Sequence, residues 1–142
     1  MKEKTALRIS TVVLFLASLM DIRRGIAHTF NVRYSAEYLA GIEPISDSLV
    51  LMGAFGISNF LTGFIYFLVI WKAKHLVPYV LLLIPFSYFI GGMGKNFQNV
   101  DMESAFVGRY IMAVYLSICM VTGLIYLLAR IKTKRNMANE KV

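Results

Sequence analysis

Four apolar stretches, about residues 6–30, 48–71, 77–93 and 105–131, constrain this chain's fold more than any motif in it. Each is close to the ~20 residues a helix needs to cross ~30 Å of hydrocarbon. The chain is 58% hydrophobic and 16% charged, whereas a soluble domain averages about 45–50% apolar and about 25% charged. A body of 142 residues has too little interior to hide that excess from water, and a disordered chain would be far more polar. The excess is therefore expected to face lipid. Lipid offers the backbone no hydrogen-bond partners, and four spans are too few to close a barrel, so each span must be a helix. The expected fold is all-α: an integral membrane antiparallel four-helix bundle in a single transmembrane domain, 1–142. An outer loop, 31–47, and a basic cytoplasmic tail, 132–142, complete it.

The net charge of +7 would point to nucleic acid in a soluble protein. Here its distribution matters more. Lys2, Lys4, Arg8, Lys72, Lys74, Arg130, Lys132, Lys134, Arg135 and Lys141 all fall on one side of the four spans, with only Glu3 and Glu140 against them. The other side has Arg23, Arg24, Arg33, Lys95 and Arg109 with six acids: Asp21, Glu37, Glu43, Asp47, Asp101 and Glu103. The positive-inside rule puts both termini in the cytoplasm, and no nucleic-acid partner is called for. Trp71 and Tyr126 fit an inner aromatic belt, Tyr34 and Tyr38 an outer one. The first apolar stretch leads into Asp21-Ile22-Arg23-Arg24 rather than a small-residue cleavage site, so it reads as a retained span.

Span one carries the informative polar residues. Ser10, Leu14, Ala17, Asp21, Arg24 and His28 follow at spacings of four and three, which places them on one helix face. At ~1.5 Å per residue Asp21 lies ~22 Å from Ala6, still below the outer headgroups. An ionisable group at that depth normally faces the bundle interior or a wet cavity. Asp21 and Arg24 are three apart and within pairing reach. Two readings stand: an ion pair locking span one to a neighbour, or an outward-opening polar pocket with His28 at its mouth.

The other spans offer partners. Gly56, Asn59, Gly63 and Tyr66 form a stripe on span two, the glycines suited to close helix packing and Asn59 to a pocket floor beneath Asp21. Ser46 or Asp47 is the expected N-cap of that span. Pro85 within span three frees the carbonyl of Leu81, for which Ser87 is a local partner. Gly91, Gly92 and Gly94 lead into Lys95, a helix end or an anion site. On span four, Gly108, Met112, Tyr115, Cys119, Thr122 and Tyr126 share a face, and Arg109 starts at the depth of Asp21. Asp21, Arg24, His28, Lys95 and Arg109 together would be net cationic, suiting a carboxylate, phosphate or sulfur oxyanion, with Tyr115 and Tyr110 adding hydroxyls. Arg109 reads equally well as a headgroup contact.

No catalytic constellation appears. The single Cys119 excludes an internal disulfide and any CxxC redox pair, and its plain reading is a small core hydrophobe. His28 and His75 are far apart, no metal-ligand spacing exists, and the inner half of every span lacks an acid, unlike a proton-coupled exporter.

Three short segments stand out beside these residues: Leu7-Arg8-Ile9, Met52-Gly53-Ala54-Phe55-Gly56 with Thr62-Gly63-Phe64, and Phe89-Ile90-Gly91-Gly92-Met93-Gly94. In them the chain resembles the DoxX-like superfamily of small four-helix membrane proteins, in its uncharacterised bacterial branch. Lys95 stands where that family often has arginine, and the glutamate common in its fourth span is absent. The resemblance implies an antiparallel four-helix bundle in a bacterial cytoplasmic membrane, with a polar pocket toward one face. It implies no single chemistry, since family roles range from quinone-linked sulfur oxidation to oxidative-stress complexes and receptor-assembly chaperones.

Three functions compete on sequence. The first is a non-enzymatic module binding a lipid-like or small anionic ligand, or a partner membrane protein, through Asp21, Arg24, His28, Asn59, Lys95, Arg109 and Tyr115. The second is an accessory redox subunit contacting quinone. The third is an oligomeric small-solute transporter or channel, with the span-two glycine stripe or Ala113 and Ser117 as homo-oligomer contacts. All three require Asp21 and Arg24 to face inward.

Overall fold

The computed structural model describes residues 2–97 and 108–139, with the side chains of 95–97, 108 and 109 excepted. Four long helices dominate: α1 (Glu3–Phe30), α2 (Ser46–Lys72), α3 (Val77–Phe97) and α4 (Gly108–Asn139). All four are long and apolar enough to cross a membrane. No strand occurs among the described residues.

Side-chain registers fix the arrangement. Ser18 donates to the carbonyl of Gly63 at 2.8 Å and Thr62 reaches Asp21, while Gly56 abuts His28 and Thr29. Numbers fall on α2 as they rise on α1, so the two run antiparallel. Gly123 meets Leu82 and Pro78, and Arg130 donates to the Tyr79 hydroxyl, which makes α3 and α4 antiparallel too. The core lies where α1, α3 and α4 converge: Leu14, Ala17, Val77, Leu81, Ile84 and Cys119 are all buried there. A smaller cluster of Ala6, Tyr126 and Ala129 closes the end near the N-terminus.

The α1–α2 contact is the tightest in the molecule, and glycine makes it so. A Cβ on Gly56 would lie 2.4 Å from Thr29 Oγ1 and 2.9 Å from the His28 backbone carbon. On Gly63 it would lie 2.8 Å from Ile22, and on Gly25 it would enter the Phe60 ring. Gly56, Asn59 and Gly63 are the buried residues of α2, so this stripe is used up against α1 and is not free for another copy of the chain.

Several local expectations are corrected. Ile45, in extended conformation, precedes the first turn of α2; neither Ser46 nor Asp47 caps it. Ser48 turns back instead, its hydroxyl 2.6 Å from the Glu43 carbonyl and 2.9 Å from that of Ile45. The helix α3 runs through Pro85, and Ser87 donates to Leu83 rather than to Leu81, because a hydroxyl on a helix reaches the carbonyl four residues back. Gly91, Gly92 and Gly94 continue that helix, with nothing among the described residues within 4 Å of where a Cβ would sit. Residues 31–47 are half helical: a turn at Val32–Tyr34, a π-helical turn at Ser35–Ala40, then Gly41 at φ 64° to end it. Basic residues favour helix and nothing breaks it, so α4 continues as helix through the basic segment to Asn139. Tyr126 is buried and donates to Glu3 at 3.3 Å, so of the two residues expected in an inner belt Trp71 is the exposed one, at 72%. Tyr34 and Tyr38 are exposed and stacked, with centroids 5.1 Å apart.

Candidate functional site

Asp21 is the most deeply buried charged residue described, at 5% exposure, in the middle of the face that α1 turns to the other helices. Its Oδ1 lies 3.6 Å from Nη1 of Arg24. Its Oδ2 lies 3.0 Å from the Thr62 hydroxyl, which also has the carbonyls of Asn59 (3.0 Å) and Ser58 (3.1 Å) in reach. One hydroxyl proton serves one acceptor at a time, and a carboxylate is the strongest of the three. Arg24 extends over the Phe55 ring at 5.3 Å and reaches the Met112 sulfur at 3.8 Å. The pair is thus tied to α2 and α4 at once.

These groups border a cavity of about 140 Å³ between the helices. Asp21 and Arg24 come from α1; Phe55, Ser58, Asn59, Thr62 and Tyr66 from α2; Ile84 and Tyr88 from α3; Tyr115 from α4. Tyr115 also neighbours Tyr66 and the Cys119 thiol. Asn59 is 6% exposed, and its Nδ2 has no hydrogen-bond partner among the described residues. A buried donor left so costs about 1–3 kcal/mol.

Of the residues that sequence singled out, Asp21, Arg24, Asn59 and Tyr115 meet at this cavity. His28 does not line it. One turn along α1, it is buried at 8% exposure with its ring 5.4 Å from that of Phe55, and among the described residues neither its Nδ1 nor the neighbouring Thr29 Oγ1 has a hydrogen-bond partner. Tyr110 is exposed and does not line the cavity. The side chains of Lys95 and Arg109 lie outside the described residues. Among the described residues of the lining the formal charges are one acid and one base, which cancel.

No protein-family model, curated protein or solved structure matches this chain. What the site does must be argued from its own groups.

Sequence reasoning missed Phe55, Ser58, Thr62, Ile84 and Tyr88. Thr62 had a signal, since it lies three residues after Asn59 and so on the same side of α2. Phe55 and Tyr88 had none, because aromatic residues are ordinary in an apolar helix. Among the described residues no three His, Cys, Asp or Glu side chains gather as a metal site would require.

Proposed function

We propose that this chain is an integral membrane protein, with both termini in the cytoplasm, that binds a lipid-like or small anionic ligand in the cavity beside Asp21, Arg24, Asn59 and Tyr115. One observation carries the reading. The cavity has at its wall a buried amide donor, Asn59 Nδ2, that lacks a partner among the described residues. Buried polar groups are nearly always satisfied, so such a group beside a space of this size points to a bound molecule or water. The Asp21–Arg24 pair supports it, since charges at membrane depth are expensive and usually line a site. The orientation rests on the ten basic residues gathered on one side of the spans. The DoxX-like resemblance adds only the four-helix expectation, and no role known in that superfamily is transferred to this chain.

Mass spectrometry of the protein extracted with its native lipids tests the reading. The expected result is one molecule that accompanies the wild-type chain and is lost from a folded Asn59→Leu variant. Identical co-purifying species in both would contradict it.

A further inference from the structure

The way into this cavity says what kind of molecule it takes. Its lining divides into a buried floor and an exposed rim. Asp21, Asn59 and Ile84 are each at most 6% exposed. Phe55 (45%) and Tyr88 (44%) are open, as is Ser58. The rim residues belong to α2 and α3, two helices that touch only sparsely although a tight turn, Lys74–Leu76, joins them. The mouth therefore lies in the α2–α3 seam, on the flank of the bundle.

Its depth follows from the helices. Ser58 stands twelve residues after Ser46 and fourteen before Lys72; Tyr88 stands eleven after Val77 and nine before Phe97. Both are near the middle of their helix. A slab of hydrocarbon ~30 Å thick covers about ten residues to either side of such a position. On the membrane reading above, the mouth opens on acyl chains and not on water.

Size and charge narrow the guest further. A volume of about 140 Å³ is close to the roughly 150 Å³ cavity that takes a benzene ring. It admits a small head and leaves a long tail outside in the lipid. Among the described lining residues Asp21 and Arg24 are the charged ones and neutralise one another, so a charged head would bring an unbalanced charge to them in a low-dielectric site. The vacant donor on Asn59 asks for an acceptor oxygen.

Accordingly, we infer that the cavity is entered sideways from the bilayer, through the α2–α3 seam, by a chain-bearing molecule whose small uncharged head accepts a hydrogen bond from Asn59. This rests on the binding reading above and narrows it from an anion or a lipid to a lipid-phase molecule with a neutral head.

The test uses the full chain in phosphatidylcholine nanodiscs and three probes scored by native mass spectrometry. They are methyl oleate, oleyl phosphate and inorganic phosphate. Methyl oleate is expected to bind at least about tenfold more tightly than either phosphate probe, a difference of about 1.4 kcal/mol. Its binding is expected to be lost in Asn59→Leu and in Ser58→Trp, the latter closing the mouth without touching the floor. Thermal unfolding of both variants checks that they fold, and the ranking of the three probes on the wild-type chain stands whatever the variants do. Equal or tighter binding of oleyl phosphate would overturn the neutral head. Binding of inorganic phosphate as tight as that of the chain-bearing probes would overturn lateral entry while sparing the binding site. If none of the three binds, and extraction with native lipids also yields no ligand, both this inference and the binding reading fall.

Discussion

Placing the Asp21 carboxylate and the Arg24 guanidinium inside an apolar bundle is costly unless each keeps its partner. They lie 3.6 Å apart, with Thr62 on one and Phe55 on the other. Removing either partner strands a charge, which costs about 3 kcal/mol where the site is closed and less where, as at Arg24, the head is partly exposed. Asp21→Asn and Arg24→Gln are each expected to lower stability by about 2–3 kcal/mol. The double variant should lose less than their sum, because no unpaired charge remains. Unfolding in mixed micelles gives the coupling, and strictly additive losses would show that the two do not act as a pair. Asp21, Arg24 and Asn59 were legible in the sequence because polar residues stand out in an apolar span. His28 shares their helix face by spacing, yet packs one turn further along, on Phe55. Spacing gives direction around a helix and not what fills the space beside it.

At the scale of elements, glycine decides how near the helices come. Gly56 has no room for a Cβ, with Thr29 Oγ1 2.4 Å and the His28 backbone 2.9 Å from where it would sit. Gly53, one turn away on the same helix, has nothing within 4 Å. Gly56→Ala is expected to destabilise by about 1–3 kcal/mol as α1 and α2 are forced apart. Gly53→Ala should be neutral or gain up to about 1 kcal/mol in helix propensity. Thermal unfolding of the two variants checks this, and equal effects would contradict the packing. The four helices were legible from hydropathy to within a few residues at most ends. The ends themselves were not, because caps depend on how the chain arrives. The chain enters α2 through extended Ile45, so neither Ser46 nor Asp47 caps it, and Ser48 donates back to the carbonyls of the approaching loop. Likewise Gly91, Gly92 and Gly94 read as a close contact or a loop, yet they remain helical, with nothing among the described residues within 4 Å of where a Cβ would sit.

Across the whole chain, the antiparallel registers of α1 with α2 and of α3 with α4 put the start of α1 and the end of α4 at the same end as the Lys74–Leu76 turn. That end carries most of the basic residues. In the proposed orientation, which follows the positive-inside rule, that end is the cytoplasmic one. In a Cys119→Ala background, a membrane-impermeant maleimide applied to intact cells should label a Glu43→Cys variant. A Lys134→Cys variant should be labelled only after permeabilisation, and the reverse pattern would invert the topology.

Whether the cavity beside Asn59 holds a molecule is decided by an experimental structure of the full chain in its native lipids. Non-protein density is expected between Asn59, Arg24 and Tyr115, with a hydrogen-bond acceptor at Nδ2 of Asn59. A collapsed or empty cavity, with that amide bonded instead to a backbone carbonyl, would contradict it.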